Sequence, residues 1–350
     1  MSTRRKGNFF AHLHPPMILA RTLDPFVTLG LGVVCLSCFI LLVLTGVTLF
    51  LYYVPHQDVA YDRILHIVTT LRYGRLIRNL HYLAANALLI AAMLHLARVF
   101  RTGSYKGRRL NWIYGLGLLA LILLSNYTGY LLPWDQTSYW AVKVGSTLAA
   151  YFPVVGPSLK QFLLGGHDIG PDTIVRSFAL HVAVLPALWL VLTSLHLWRI
   201  RKDGGLAAPD TPDAIRIPAT PALFRAEMAL AFLTLALLLA LALFIDAPFS
   251  GRADPVHPPN PAKAPWYFVG IQEMVSHSAM LGGVVVPILI GLFLVLCPFL
   301  DKSQGPGGRW FARQRLPLNL VFVLIMASQV ILIIVGQFFR GRNWSFMVPW

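Results

Sequence analysis

The sequence predicts an all-α fold, a polytopic transmembrane helical bundle, and three observations carry that expectation. Of the 350 residues 57% are hydrophobic and the mean hydropathy is +0.65, far above what a water-dispersed chain tolerates. Several apolar runs continue for about 20 residues, the length a helix needs to cross a bilayer core. Charged residues collect between these runs rather than inside them. Seven spans follow, at 26–52, 79–100, 113–132, 177–198, 226–245, 279–299 and 318–338. An odd number places the two termini on opposite sides of the membrane.

Ahead of the first span lie Arg4, Arg5 and Lys6, then Pro15 and Pro16, with no signal-peptide cleavage pattern, so the first span is expected to remain in the protein. The net charge of +15 does not point to nucleic acid, because its distribution follows topology. With a cytoplasmic N-terminus, 18 of the 29 Lys and Arg fall on that side and 11 on the other. The expected setting is a bacterial cytoplasmic (inner) membrane, with the C-terminus outside. Cys35, Cys38 and Cys297 all lie in apolar spans, which indicates neither a disulfide framework nor a zinc site. A polar connector, Lys202-Asp203-Gly204-Gly205 through Pro209, Pro212, Pro218 and Pro221, cannot be membrane helix. It divides the chain into a four-span part, 1–215, and a three-span part, 216–350.

Four histidines stand in the apolar cores of the first part. His81 and His95 are 14 residues apart in the second span, and His181 and His196 are 15 apart in the fourth. At ~1.5 Å per residue such an interval covers about 21 Å, and each pair stays on one side of its helix, turned by about 40° and about 60° in opposite senses. Pro186 lies where a bend would absorb the difference. One buried imidazole is commonly a satisfied polar group or a proton relay. Four at two matched depths are what two stacked bis-histidine haems require, since paired imidazoles suit low-spin electron-transfer iron.

The neighbouring spans repeat the interval. Gly32 and Gly46 are 14 apart in the first span, as are Gly115 and Gly129 in the third. Small residues also serve plain helix packing, but the shared interval favours clearance for two flat rings. Arg78 and Arg98 each sit one turn from a histidine, where a guanidinium would meet a haem propionate; Arg98 also obeys the positive-inside rule without any cofactor.

Two loops on the outer side continue the pattern. One runs from Gly129 through Pro133-Trp134-Asp135-Gln136, Tyr139 and Trp140 into an apolar stretch reaching about 175, too hydrophobic for a free loop and suited to short helices on the membrane surface. The other, about 246–278, contains Pro258-Pro259-Asn260-Pro261-Ala262-Lys263-Ala264-Pro265-Trp266-Tyr267, where the prolines oppose regular helix. Aromatic belts account for single Trp and Tyr residues. Together the loops are expected to roof an apolar pocket.

The histidines, glycines and Pro-Trp-Asp-Gln stretch resemble cytochrome b of the quinol:cytochrome c oxidoreductase (cytochrome bc) family, over about residues 10–340. Seven spans and the 14/15 spacing are similar to cytochrome b6 fused to its subunit IV. The resemblance implies a four-helix dihaem core with a three-helix C-terminal part, and two b-type haems, the outer on His81 and His181 and the inner on His95 and His196. It implies a redox subunit that works only within its complex, beside a Rieske iron–sulfur protein, a c-type cytochrome, lipid and the membrane quinone pool, in a dimeric assembly. Quinol oxidised outside would pass one electron to the iron–sulfur partner and the other across the membrane to an inner quinone site, adding to the proton-motive force. The iron–sulfur cluster is not expected in this chain, which lacks two Cys/His pairs in a soluble segment.

Departures from the family pattern also matter. The family's Pro-Glu-Trp-Tyr is Ala264-Pro265-Trp266-Tyr267 here, which removes a carboxylate often assigned as proton acceptor. Glu273, two turns on if the stretch is helical, is a candidate replacement, and a plain surface glutamate is the alternative. Tyr267 and Tyr139 are the other quinol-contact candidates; at the inner end His196, Arg199 and Glu227 are candidates for the quinone pocket. Photosynthetic relatives hold an extra covalent haem on a cysteine where this chain has Gly30, so that haem is not favoured, although Cys35 and Cys38 lie close by. Two other classes stay open: a dihaem quinone-reactive anchor of a dehydrogenase or reductase, and an ion-coupled transporter with histidine relays.

Overall fold

The computed structural model describes residues 14–204, 213–303, 307–310 and 312–348. Arg4, Arg5, Lys6, Gly205, Pro209 and Pro212 lie outside these residues. Among the described residues seven helices are long and apolar enough to cross a membrane: α1 (Leu31–Phe50), α3 (Gly74–Thr102), α4 (Arg109–Leu131), α7 (Pro171–Lys202), α8 (Ala222–Phe244), α10 (Leu281–Leu300) and α11 (Arg313–Phe338). The protein is an all-α polytopic membrane bundle, a four-helix core with a three-helix C-terminal extension. Large apolar residues such as Leu44, Leu237 and Phe244 are exposed on its flanks, as lipid-facing positions must be.

Each expected span lies within a few residues of a helix, and the differences have local causes. The first begins five residues later than expected, because Leu29 and Gly30 are both left-handed and break the chain between a short turn, Pro25–Thr28, and α1. α3 extends beyond both expected ends and stops at left-handed Gly103, whose N–H satisfies the open carbonyls of the last turn.

Four shorter helices cap the end at which α1 finishes and α3 begins: α2 (Ala60–Thr69), α5 (Gln136–Ala150), α6 (Gly156–Leu164) and α9 (Trp266–His277). α2 carries its apolar residues on one face and lies outside the expected elements. α9 starts directly after Pro265, so the prolines of the second loop keep only its first half from being helical. Asp135 caps α5 through a reciprocal pair of bonds with Ser138: its carboxylate accepts from Ser138 N at 2.9 Å while its own N–H reaches Ser138 Oγ at 3.2 Å.

α1 packs along α3, α4 along α7, and α8 against α1 and α3. Their shared core includes Phe39, Leu88, Leu121, Leu185, Trp189 and Leu238, with the Phe39 and Trp189 rings stacked at 3.6 Å. At the opposite end β1 (Met17–Leu19) pairs antiparallel with β2 (Arg216–Pro218), tying the segment before α1 to the segment before α8.

Candidate functional site

His181 lies inside a π-helical turn, Leu180–Val184, at whose end Leu185 N–H bonds back to the Leu180 carbonyl. Pro186 follows immediately and has no N–H for the next α-type bond. A π turn takes up one extra residue, so the 15-residue interval advances like 14 α-helical ones, and His196 stands to His181 much as His95 stands to His81. The adjustment expected at Pro186 is thus made by the turn just before it. The same arrangement recurs at Leu281–Val285 ahead of Pro287.

The four glycines face the four imidazoles, one to one. An added Cβ would lie 3.3 Å from His81 Cε1 at Gly46, 2.4 Å from His181 Cε1 at Gly129, 3.9 Å from His95 Cε1 at Gly32 and 3.6 Å from His196 Cε1 at Gly115. The His81 and His181 ring centres are 6.1 Å apart with planes inclined by 68°. Two imidazoles holding one metal ion between them, each at about 2 Å, have ring centres roughly 6 Å apart, and the spacing of this pair fits that separation.

Hydrogen bonds prepare three of the rings for that role. His181 Nδ1 donates to the Ser125 carbonyl at 3.0 Å and His196 Nδ1 to the Asn111 carbonyl at 3.2 Å. A carbonyl only accepts, so Nδ1 holds the proton and Nε2 keeps its lone pair for a metal. His81 Nδ1 lies 2.9 Å from Thr45 Oγ1, whose own proton goes to the Leu41 carbonyl at 2.7 Å; the hydroxyl therefore accepts from His81. His95 Nδ1 is buried without a hydrogen-bond partner among the described residues. None of these anchors is visible in the histidine spacing, although Thr45, one residue before Gly46, is a sequence signal for the anchor on His81.

Both arginines are tied to backbone carbonyls. Arg78 donates to Ala247 O at 2.9 Å and Pro248 O at 2.5 Å, and its guanidinium lies over the Phe249 ring. Arg98 is 5% exposed and donates twice to Val27 O, at 3.1 and 2.9 Å. At position 30 an added Cβ would lie 2.0 Å from a Leu230 methyl group, on left-handed backbone, so a side chain there would have to displace Leu230 and strain the chain. Cys38 is fully buried and Cys35 partly so.

The two loops meet at the His81 end. Gln136 Nε2 donates to the His257 carbonyl at 2.6 Å, Asp254 N–H to Gln136 Oε1 at 2.6 Å, Trp140 Nε1 to the Asp254 carbonyl at 3.0 Å and Ser250 N–H to Asp135 Oδ2 at 2.9 Å. Between them a cleft of about 380 Å³ is lined by Thr137, Trp140, Pro259, Lys263, Arg340 and Met347, among others. Tyr139 and Tyr267 are not in its lining. Tyr139 is buried edge-on between Trp134 and Trp140. Tyr267 and Trp266 instead pack on the core between the histidine levels, with Trp266 Nε1 donating to Asn86 Oδ1 at 2.7 Å. Burial pushes the Tyr267 phenol up and keeps it a hydrogen-bond donor.

Glu273 is not a surface residue: it is 2% exposed and accepts from Arg340 Nε at 3.0 and 3.1 Å and from Trp344 Nε1 at 3.0 Å. The bonds from Arg340 hold its carboxyl below the usual glutamate range, which favours a standing counter-ion over a base working near neutral pH. At the other end, Glu227 pairs with His14 at 2.9 Å and Arg199 with Asp203 at 3.1 Å. Among the described residues no group of three or more His, Cys, Asp or Glu is placed to hold a metal ion.

Residues 21–204 match the family described as cytochrome b/b6/petB, and residues 252–348 match cytochrome b(C-terminal)/b6/petD. The chain belongs to the cytochrome b/b6 family. The chain is 42% identical over 175 residues to cytochrome b6 of Acaryochloris marina (strain MBIC 11017), spanning 50% of this chain and 81% of the relative. Cytochrome b6 of Heliomicrobium gestii is 39% identical over 192 residues, 55% of this chain and 88% of the relative. Among solved structures, a hyperthermophilic respiratory Complex III superposes with a TM-score of 0.77 at 28% identity, covering 89% of this chain and 84% of the other. Family membership brings haem-binding cytochrome b character and a redox role inside a multi-subunit oxidoreductase.

Proposed function

We propose that this chain is the dihaem membrane subunit of a quinol:cytochrome c oxidoreductase. It oxidises quinol at the outer face beside a Rieske iron–sulfur protein and carries one electron per quinol across the membrane to an inner quinone site, with a c-type cytochrome as the further partner and a dimeric complex as the working form. The His81/His181 pair, with ring centres 6.1 Å apart, carries the reading most directly. His81 and His181 would hold the outer b haem, and His95 and His196 the inner one. A bound haem would supply a one-electron carrier at each level.

The chain's own residues do the rest. Thr45, Ser125 and Asn111 orient three imidazoles through Nδ1, and Gly32, Gly46, Gly115 and Gly129 let neighbouring backbone approach them. Arg78 and Arg98 put a positive charge near each level. The stitched loops exclude water above the outer pair, Tyr267 offers a buried phenol proton to a quinol oxygen, and Tyr139 stiffens the aromatic wall. We place the N-terminus in the cytoplasm of a bacterial inner membrane, from the bias of Lys and Arg. The functional division at 215/216 is proposed from the polar, Gly/Pro-rich connector and from the placing of all four span histidines before it.

A purified complex should show two b-type haems per chain by pyridine haemochrome assay, quinol-dependent reduction of a c-type cytochrome, and a copurifying iron–sulfur subunit. A dihaem anchor would lack that subunit, and a histidine-relay transporter would be colourless.

A further inference from the structure

After α11 the chain does not leave the protein. Residues 339–347 fold back as a hairpin: Gly341 N–H bonds to Ser345 O at 2.9 Å, Met347 N–H to Phe339 O at 3.0 Å, and Arg340 bridges Phe346. The tip holds Asn343 and Trp344 in left-handed backbone, an uncommon state for a bulky aromatic residue that must be held by its surroundings. Arg340 donates to the Trp344 carbonyl at 3.2 Å within the hairpin, and further contacts run to the outer loop and to α9. Asn343 N–H donates to Asn260 Oδ1 at 2.6 Å and Asn260 Nδ2 to Asn343 Oδ1 at 2.5 Å. Lys263 Nζ donates to Gln337 O at 2.7 Å, and Trp344 Nε1 and Arg340 converge on Glu273. Gly270 and Gly336 let α9 and α11 lie close, since a Cβ on either would come within 3.1 Å of a side chain on the other helix.

We propose that Glu273, Arg340 and Trp344 form a clasp by which the C-terminal hairpin positions α9, and with it Trp266 and Tyr267, at the outer quinol site. Glu273 is then a positioning residue acting through Arg340. α9 is fixed at its N-terminal end by Trp266 on Asn86 and by Gln272, which accepts from Ala264 N–H and donates to Ala262 O, each at 2.7 Å. Without the clasp its C-terminal half would keep the Gln272 bonds and its packing on α11 and on the Leu281–Val285 turn, but would lose its ion pair to the hairpin. Arg340, Gly341 and Met347 also form one wall of the cleft, so the hairpin shapes the opening as well as the helix. His277, the remaining titratable group facing Glu273, is 3.7 Å away with a side chain 72% exposed. The proposal rests on the quinol-oxidising reading above.

The test is a double-mutant cycle in the intact complex, read by quinol kinetics and by amide hydrogen exchange over residues 264–277. Breaking a buried ion pair from one side strands the other charge, while removing both members is often nearly neutral. E273M and R340M should each speed exchange at least about tenfold and raise KM for quinol several-fold, and E273M/R340M, which removes the clasp without stranding a charge, should still exchange several-fold faster than the parent; a double variant with parental exchange and KM would overturn the clasp, because the stranded charge alone would then explain the single variants. The pH profile of kcat should keep its shape in E273Q. Should the methionine variants fail to assemble, R340K and W344F, which thin the bonding without stranding Glu273, should loosen α9 partially; parental exchange in both would overturn the clasp. It is also overturned if E273Q reshapes the pH profile while R340M leaves exchange and KM unchanged, because the carboxylate would then act alone. A parent complex that does not oxidise quinol defeats the functional reading instead, and the exchange arm still decides the clasp.

Discussion

The two histidine levels share a design and differ in tightness. At the His81/His181 level both rings are anchored through Nδ1, and the facing glycines leave 3.3 and 2.4 Å for an added carbon; at the His95/His196 level the clearances are 3.9 and 3.6 Å, and His95 Nδ1 has no partner among the described residues. The tighter level also lies under the stitched loops, α5 and α9, while the looser one is met by the β1–β2 ribbon and the charged ends of α3 and α7. A site that must hold one geometry while substrate exchanges beside it gains from rings whose tautomer and direction are set in advance. The difference teaches that one interval, repeated in four helices, sets where the rings stand, while the bonds around each ring set how firmly it is held.

The largest expected effect comes from removing one ring. His95→Leu should eliminate the inner haem and spare much of the outer one, lowering the haemochrome from two haems per chain to about one, since each level has its own ligand pair. Equal retention of both would refute the assignment of His95. Next come the glycines, which turn the contrast into a gradient. Gly129→Ala would force its new carbon against His181 and should deplete the outer haem, whereas Gly32→Ala, with an ordinary van der Waals clearance, should leave the inner haem near parental occupancy. Redox difference spectra of the two variants check this, and equal losses would show that the two levels are not held differently.

Much of this arrangement was legible from residue order alone. Hydropathy locates spans because lipid demands a continuous apolar surface, and the histidine and glycine intervals survive as face and depth because a helix has a constant rise and turn. The π turn at Leu180–Val184 was visible only as a mismatch of one residue. The amphipathic helix α2 carries too little apolar length to register as a span. Glu273 and Arg340 are 67 positions apart, and no local pattern in either segment announces that the chain end folds back onto α9. Asn111 and Ser125 contribute carbonyl oxygens, which every residue has.

A smaller effect should follow from the anchor on His81. Thr45→Val preserves shape but strands the His81 N–H in an apolar interior, at a cost of about 1–3 kcal/mol. Both haems should remain bound. With its Nδ1–H unbonded the imidazole is a poorer electron donor, so the outer haem's potential should rise on the order of tens of millivolts while the inner one stays put. Potentiometric titration of the two b bands tests this, and an equal shift in both would place the effect in global packing.

The smallest effect belongs to Asp246, which follows α8 at the tighter end and pairs with Arg75 and Asn79. The hydrogen bond from Arg75, then that from Asn79, holds its carboxyl down at about 2. A depressed carboxylate stabilises the folded state above its ordinary titration range, near pH 4, and that contribution fades as the pH falls toward the folded value. Asp246→Asn should therefore lower the thermal midpoint slightly at pH 7, by the same small amount anywhere from pH 5 to 8, and the difference should shrink on acidification below about pH 4. Because the pair is open to water, added salt should also reduce the difference. Following the Soret band through thermal unfolding at several pH values measures it; a gap that widens on acidification would mean that Asp246 is bonded in its protonated form, and that the loop after α8 is held on the tighter level by something other than charge.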